Sequence, residues 1–478
     1  MSAGRSQAGT IEMMPPISRV IMIAVAAAMG GFLFGFDTAV INGAVGAVEV
    51  WSGVGEVLLG FSVAGALLGC AVGAWFAGPI SAKYGRIRVM QIAAVLFFAT
   101  SLACGFAWDI YSLTVFRLIG GLAVGAASVI APAYIAEVSP ASIRGRLGSL
   151  QQMAIVVGIF VSLLSNYALA QAAGGAINEL WFGLEAWRWM FMAECIPAIV
   201  YGVLASMIPE SPRYLVSQGR LDEAERVLEH YVGGDPQAKI AEIQASMAAD
   251  AGKKQTIKVL LGGRFGLLPI VWIGIILSIF QQAVGINVIF YYSSVLWQAV
   301  GFEESSALLT SVFTSVVNIV TTVVAIALVD KIGRKPLLLI GSAGMIATLG
   351  TMAYIFGTAP LKTLADGSTQ PDLVGTTAGV VAVVAANLYV VFFGMSWGPV
   401  VWVLLGEMFN NRIRAYAISV AAAAQWGANF LVSVSFPSLA KVGLGVAYGL
   451  YTTMALLSLI FVWTFVKETR GRELEDMQ

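Results

Sequence analysis

Apolar runs of about twenty residues recur along this chain of 478 residues, and they constrain its fold more than any other feature. Only 11% of the residues are charged, too few to cover the surface of a soluble protein of this length. Because continuous apolar runs favour helices over a closed barrel in lipid, the sequence predicts an all-α membrane protein. The twelve predicted spans, numbered in chain order, are 17–45, 54–78, 88–108, 111–138, 148–170, 187–208, 266–298, 306–330, 336–357, 376–408, 413–440 and 443–466.

The 27 Lys and Arg residues are divided unequally between the two faces of this predicted bundle. With the N-terminus placed in the cytoplasm, only Arg188, Lys362 and Lys441 fall on the other face, and Arg117 stays inside the membrane. Cytoplasmic loops of membrane proteins are enriched in Lys and Arg. The distribution therefore predicts a multi-pass protein with both termini in the cytoplasm.

An aspartate lies inside the first span, within GGFLFGFDTAVINGA. A carboxylate at that depth, such as that of Asp37, is costly and usually faces a cavity or a partner. Arg117, inside span 4, is the expected partner. A buried acid and a buried base in an apolar bundle indicate a proton-coupled transporter. The alternative is a static ion pair that only orders the bundle.

Sequence motifs repeat between the first and second halves of the chain. AKYGRIRV between spans 2 and 3 matches VDKIGRKP between spans 8 and 9, and AEVSPASIRG after span 4 matches GEMFNNRIRA after span 10. Such parallel repeats are related by an axis along the membrane normal, with a site between them. The predicted domains are an N-terminal six-helix bundle (1–208), a cytoplasmic linker with short surface helices (209–265), and a C-terminal six-helix bundle with a short tail (266–478).

Charged residues accompany these repeats at the cytoplasmic face, where we expect them to form a gate. Ion pairs among them would hold the halves together on that side and break when the cavity opens inward; alternatively, they only fix topology and helix ends. The expected gate residues are Arg86, Glu137, Arg144, Glu210, Arg213, Arg334, Glu407, Arg414 and Glu468.

The sequence gives no support for a catalytic residue, a cofactor or a metal site. Cys70, Cys104 and Cys195 fall in apolar spans and are interpreted as small core residues. The single histidine, His230, lies in the central loop, so an H-E-x-x-H motif is impossible. A G-x-x-x-x-G-K-[ST] loop for ATP-driven pumping is also missing. We therefore expect no enzyme activity and no nucleic-acid partner.

Several motifs together resemble the sugar porter family of the major facilitator superfamily. They are GRKP, PESPR, QQAVGINVIFYY, FGMSWGPVVWVLLGE and KETRGR, and the similarity covers nearly the whole chain. Bacterial D-xylose–proton and glucose–proton symporters are the nearest likeness. The resemblance implies two pseudo-symmetric six-helix halves of the major facilitator fold. It also implies import of a monosaccharide with a proton by alternating access, by a monomer in the bilayer of the cell inner membrane.

The resemblance implies a sugar site between the halves. Amide side chains suit a sugar because each offers two donors and an acceptor, and aromatic rings suit its C–H faces. Gly285 is expected to break the helix of span 7. The alternative is that these amides only join helices to one another. The expected sugar-binding residues are Gln152, Gln281, Gln282, Asn287, Tyr291, Asn318, Trp397, Gln425 and Trp426.

Asp37, Arg117 and Glu194 match the proton-coupling residues of the family, whereas passive glucose facilitators carry asparagine at the first position. In this interpretation, protonation of Asp37 releases Arg117 to Glu194, and the change of partner shifts the balance between outward- and inward-open states. Ile159 replaces a sugar-contacting glutamine of the xylose symporter, which favours glucose or broad hexose use. A passive facilitator and, less favoured, a non-transporting sugar sensor remain alternatives.

Overall fold

The computed structural model describes residues 17–138, 144–251, 257–263, 265–363, 369–409 and 413–469. Within them, twelve helical stretches are long and apolar enough to cross a membrane, which confirms the predicted number. The first six spans are α1 (Ile17–Ser52), α2 (Glu56–Tyr84), α3 (Arg86–Gly105), α4 (Ile110–Val138), α5 (Arg144–Ala173), and α6 (Ala186–Met192) continued by α7 (Cys195–Met207).

Short helices follow span 6 before the second set of spans begins. They are α8 (Pro212–Ser217), α9 (Leu221–Val227) and α10 (Pro236–Ala251). The last six spans are α11 (Pro269–Ala283) continued by α12 (Ile286–Ala299), α13 (Glu304–Ile332), α14 (Arg334–Thr358), α15 (Thr377–Gly394) continued by α16 (Trp397–Met408), α17 (Arg414–Val442) and α18 (Leu444–Phe465).

Two small antiparallel hairpins lie in loops between spans. β1 (Glu179–Trp181) pairs with β2 (Leu184–Glu185) between spans 5 and 6. β3 (Leu361–Thr363) pairs with β4 (Thr369–Pro371) between spans 9 and 10. Apart from an isolated antiparallel β-bridge between Leu261 and Leu267, all other described secondary structure is helical, so the bundle positions the buried polar groups.

Three spans are broken near the middle of their length. Span 6 breaks at Glu194, between α6 and α7, and span 10 breaks at Ser396, between α15 and α16. Span 7 breaks at Gly285, whose φ of 86° lies in the left-handed region that glycine adopts at no steric cost. The expected break at Gly285 is therefore confirmed, and polar residues lie at each of these discontinuities.

Close backbone packing holds α2 against α4 in the first half. A Cβ atom placed on Gly121 of α4 would stand 2.0 Å from the carbonyl oxygen of Ala66, and one on Gly69 of α2 would stand 2.0 Å from that of Leu118. Lipid tails are as apolar as leucine, so helices in a membrane associate through close packing and hydrogen bonds. Glycine at these positions is what allows the two backbones to touch.

The two halves contact each other on the face opposite α8–α10, which we call the distal face. There Asn42 of α1 donates from Nδ2 to the carbonyl oxygen of Phe290 at 3.1 Å and to Ser293 Oγ at 2.8 Å, and Ser294 Oγ donates to the Asn42 carbonyl. These contacts, the Asn42 cluster, join span 1 to α12 and close the distal face.

We expect Gly121→Ala to lower the thermal unfolding midpoint of the purified protein clearly, because overpacking of this kind costs about 1–3 kcal/mol. Gly449→Ala is the matched control, since Gly449 lies within α18 and a Cβ atom there would have no neighbouring atom within 4 Å. Alanine is the better helix former, so the control midpoint should stay the same or rise. Equal midpoints for the two variants would show that the α2–α4 contact is not tightly packed.

Candidate functional site

The break in span 7 places three amide side chains at the ends of two helices. Gln281 and Gln282 lie in the last turn of α11, and Asn287 lies in the first turn of α12. The two glutamines are buried and Asn287 is half-buried. An αL residue at Gly285 changes the helix direction between these positions. The three predicted residues therefore meet because the helix breaks here.

Gln281 is the centre of a hydrogen-bond network that joins three spans. Its Nε2 atom donates to the carbonyl oxygens of Trp397 and Gly398, both at 2.9 Å, on span 10. Its Oε1 atom accepts from Gln425 Nε2 of span 11. Spans 7, 10 and 11 are thus connected through a single buried amide.

The network continues to the other side of the break. Gln282 Nε2 donates to Gln281 Oε1 at 3.3 Å, and Asn287 Nδ2 donates to Gln282 Oε1. Gln425 Oε1 is buried and has no hydrogen-bond partner within the described structure. An unpaired buried acceptor costs free energy, so this oxygen is available to a ligand hydroxyl.

Trp397 has a fully buried ring at the start of α16, directly after the break in span 10. Its indole Nε1 donates to the Leu338 carbonyl at 3.1 Å and to Ser342 Oγ at 2.9 Å. Both partners lie on α14. The ring orientation is fixed by these bonds, which gives the amide network an apolar neighbour that does not need to rearrange.

The other predicted sugar-site residues lie at different distances from this network. Tyr291 is one turn beyond Asn287 and is 3% exposed. The ring of Trp426 packs against that of Phe34 in the first half, with the two ring centroids 5.7 Å apart. Gln152 on α5 and Asn318 on α13 are half-buried. Neither of these last two forms a hydrogen bond with the network in the described part of the chain.

The structure brings two further polar residues to this region, and one of them, Asn42, was not expected from the sequence. Asn429 of α17 is 6% exposed, and its Nδ2 lies 3.5 Å from the hydroxyl of Tyr291. Asn42 joins span 1 to α12 through the Asn42 cluster. Both are amides inside apolar spans, which is the signal that identified the span 7 residues.

Asp37 and Arg117 line one small cavity together with Tyr291. Asp37 is half-buried, whereas Arg117 is 4% exposed. Tyr291 belongs to the second half of the chain and the other two to the first. The remaining lining residues are Thr38, Ile41, Val63, Ala66, Leu67 and Cys70. The predicted acid and base therefore share a cavity with a predicted sugar-binding residue.

The guanidinium of Arg117 is held mainly by backbone oxygens. Nε and Nη2 each lie 3.3 Å from a carbonyl oxygen, those of Ser62 and Val63 respectively. The group also lies over the ring of Phe191, 5.6 Å from its centroid. Nη1 is buried without a partner in the described structure. The expected ion pair with Asp37, within 4.0 Å, is not formed among the described residues.

Glu194 lies at the break between α6 and α7 and is 2% exposed. Its Oε2 atom accepts a hydrogen bond from Ser101 Oγ at 2.7 Å. Its Oε1 atom is buried and has no partner within the described residues. The region therefore contains the carboxyl groups of Asp37 and Glu194, and the Nη1 donor of Arg117 has no partner within the described residues.

The arrangement is suited to binding and to proton exchange. It offers amide donors and acceptors, a fixed indole ring and ionisable carboxylates. In the described part of the chain, no group of three or more His, Cys, Asp or Glu has the arrangement of a metal site. Tyr291 of the second half shares its cavity with Asp37 and Arg117 of the first half, and a site between the halves is the arrangement expected for a transported ligand.

A charged cluster at the face of α8, the basic face, ties together the ends of three spans in the first half. Arg86 forms two hydrogen bonds with Glu137, from Nη2 to Oε1 at 2.8 Å and from Nε to Oε2 at 3.1 Å. Ser211 Oγ donates to the same carboxylate. Glu210 accepts from the backbone N–H groups of Arg86 and Ile87 at 3.0 and 3.2 Å, and so caps α3.

The second half repeats this cluster nearly atom for atom. Arg334 donates to Glu407 from Nη2 at 2.7 Å and from Nε at 3.0 Å. Thr469 Oγ1 donates to Glu407 at 2.6 Å, in the place of Ser211. Glu468 accepts from the N–H groups of Arg334 and Lys335 at 3.0 and 2.9 Å. The repeated motifs in the sequence therefore correspond to repeated structure.

The Arg86–Glu137 and Arg334–Glu407 pairs each lie within one half. In this conformation these two pairs stabilise the halves themselves and do not join one half to the other, and the gate stays a prediction. Arg213 is exposed on α8. The side chains of Arg144 and Arg414 lie outside the described part of the structure.

We expect Glu137→Gln to lower the thermal unfolding midpoint, because it removes one charge from a shielded pair and weakens bonds worth about 2–3 kcal/mol. Glu223→Gln is the control, since the Arg220–Glu223 pair is exposed and exposed pairs contribute little. A midpoint unchanged in both variants would show that the repeated cluster does not stabilise the first half.

Comparison with known proteins agrees with these features. The family model described as "Sugar (and other) transporter" matches residues 23–478. The "Glucose transport protein" of Synechocystis sp. is 59% identical over 460 residues, covering 96% of this chain and 97% of that protein. The "D-xylose-proton symporter" of Escherichia coli (strain K12) is 38% identical over 500 residues, covering 96% and 95%.

Solved structures give the same result. The "Inward open conformation of the xylose transporter XylE from E. coli" matches with a TM-score of 0.79 at 36% identity, covering 96% of this chain and 99% of that one. XylE bound to 6-bromo-6-deoxy-D-glucose matches with a TM-score of 0.76 at 36% identity, covering 96% and 98%. With twelve spans, a repeated charged cluster and full-length similarity, the chain belongs to the sugar transporter family of the major facilitator superfamily, and it is a transporter and not an enzyme.

Proposed function

We propose that this protein imports a monosaccharide of the glucose or xylose type together with a proton. The observation that carries the proposal is the position of Tyr291. Its side chain lines the cavity that contains Asp37 and Arg117, and it lies one turn from Asn287 of the amide network. A sugar held at α12 and a proton held at Asp37 would therefore act on the same helix.

The amide network supports a sugar as the ligand. A sugar hydroxyl both donates and accepts, so it can replace the bonds that Gln281, Gln282 and Asn287 now make with one another. Gln425 Oε1 supplies a free acceptor. The fixed ring of Trp397 supplies an apolar surface for the C–H face of the sugar. The names of the relatives support glucose and xylose, and the aliphatic Ile159 favours glucose.

The three ionisable groups of Asp37, Arg117 and Glu194 support coupling to a proton. Arg117 contacts neither carboxylate closely in this conformation, and its Nη1 donor is free. An ionised Asp37 would attract this donor, whereas a protonated Asp37 would release it toward the free Oε1 of Glu194. Proton binding would then favour one arrangement of spans 1, 4 and 6 over the other, which is how a ligand shifts a conformational equilibrium.

The closed distal face supports an inward-facing assignment for this conformation. The Asn42 cluster joins the halves there, and a relative described as inward open has a TM-score of 0.79 with this chain. We infer that the basic face is cytoplasmic, that both termini lie in the cytoplasm, and that the protein resides in the cell inner membrane. Since one chain contains both halves of the site, we propose that the monomer transports.

The proposal is tested by uptake of labelled glucose and xylose in cells that lack their own sugar transporters. We expect accumulation above the external concentration, and its collapse when a protonophore is added, because the proton gradient is the only energy source invoked. Uptake that merely equilibrates and ignores the protonophore would identify a passive facilitator instead.

In the same assay, we expect Asp37→Asn to abolish accumulation while sugar exchange between the two sides continues. Asparagine keeps the size of the side chain but cannot bind and release the proton. Counterflow of labelled sugar in the same variant is the internal control, because it needs conformational change but no net proton movement. Normal accumulation by Asp37→Asn at every pH would rule out Asp37 as the coupling residue.

We expect Gln281→Leu to weaken sugar binding by about tenfold or more, because a ligand hydroxyl then loses a buried amide partner. Isothermal titration of the purified protein with glucose measures the change. Gln171→Leu is the control, since Gln171 is exposed at the end of α5. Unchanged affinity in Gln281→Leu would place the sugar elsewhere.

A further inference from the structure

The break in span 7 leaves the backbone carbonyl of Val284 without its helical partner. In a continuous helix, the N–H of Val288 would donate to the carbonyl of Val284. Here the Val288 N–H donates instead to the carbonyl oxygen of Gly285 at 3.1 Å, and the N–H of Gly285 donates to the carbonyl oxygen of Gln282 at 2.9 Å. An unpaired carbonyl is costly in the interior of a membrane protein. The broken geometry therefore needs a donor from outside span 7.

That donor is the phenol of a tyrosine on span 10. The hydroxyl of Tyr389 donates to the carbonyl oxygen of Val284 at 2.7 Å. Both residues are fully buried, so water does not compete for this bond. The hydroxyl thus occupies the place that the Val288 N–H would take in an unbroken helix.

A second tyrosine packs against the same break from span 12. A Cβ atom on Gly285 would stand 2.7 Å from the ring of Tyr451. The hydroxyl of Tyr451 has no partner in the described structure. The Tyr451 ring therefore confines Gly285 by contact, whereas Tyr389 holds Val284 by a hydrogen bond.

The helix beyond the break carries two different functions. α12 begins with Asn287 of the amide network, and one to two turns later it contributes Phe290, Ser293 and Ser294 to the Asn42 cluster. Any change in the angle between α11 and α12 would move the amide and the distal closure together.

We propose that Tyr389 is a positioning residue for α12: its hydroxyl sets the angle of the break in span 7, and through it the closure of the distal face and the placement of Asn287. The part that concerns Asn287 rests on the proposed sugar site. The part that concerns the distal face rests only on the contacts at the break in span 7 and on those of the Asn42 cluster.

The test compares two buried tyrosines that differ in one hydrogen bond. Tyr389→Phe removes a hydroxyl that is bonded to Val284, and Tyr448→Phe removes one that has no partner in the described structure. Tyr448 is 1% exposed and lies on α18. Placing 4-aminophenylalanine at position 389 restores a donor at the same point of the ring and serves as the rescue.

The first readout is the distance across the distal face, which a loss of general stability would not change. Spin labels at Val50→Cys and Glu303→Cys, both exposed, report it by double electron–electron resonance after Cys70, Cys104 and Cys195 are replaced. We expect a broader, longer distribution in Tyr389→Phe, an unchanged one in Tyr448→Phe, and recovery in the rescue variant. An unchanged distribution in Tyr389→Phe, or no recovery in the rescue variant, would overturn the proposal.

The second readout is the dissociation constant for glucose, measured well below the unfolding midpoints of all variants. We expect about a tenfold increase in Tyr389→Phe, the size of effect produced by one unpaired buried carbonyl, and no change in Tyr448→Phe. If the unmodified protein binds neither glucose nor xylose, the proposed substrate fails, and the distance measurement still decides the role of Tyr389. If the protein binds glucose and its dissociation constant is the same in all variants, Tyr389 has no effect on the placement of Asn287.

Discussion

The need to pair every backbone polar group inside a membrane underlies the rest of this structure. Spans that remain continuous satisfy the requirement internally, and the first half packs such spans closely through glycines such as Gly121. A span that breaks must obtain partners from its neighbours. The break at Gly285 obtains one from Tyr389 of span 10, and the polar side chains at its two ends become available to a ligand. The proposed sugar site is thus located where the helix geometry is interrupted.

Much of this architecture could be predicted from the sequence. The length of the apolar runs predicted twelve spans, and the glycine between two amide-bearing segments predicted the break in span 7. Repeated motifs predicted two equivalent halves, which the matching Glu137 and Glu407 clusters now display in atomic detail. These features follow from local sequence, because span length, glycine conformation and internal repetition need no knowledge of neighbouring helices.

Other features depend on packing and could not be predicted. The sequence suggested that Asp37 and Arg117 would pair, but the guanidinium contacts carbonyls of span 2 instead. The choice among several acceptors is made by angles between helices that no motif encodes. Which of the charged residues at the basic face pair with one another also depends on packing, and the pairs of Arg86 and Arg334 lie within the halves. Asn42 was not selected because only its distance to α12 distinguishes it.

The Asn42 cluster consists of neutral hydrogen bonds shielded from solvent. Dissolved salt screens the interaction between exposed charges over a Debye length of about 10 Å at 0.1 M ionic strength. It has little effect on buried hydrogen bonds between neutral groups. Glu56 and Lys441, which also bridge the halves on the distal face, are by contrast an exposed charged pair that salt weakens. Closure of the distal face should consequently depend little on the ionic strength of the medium, so that the Asn42 cluster would hold in both dilute and saline surroundings.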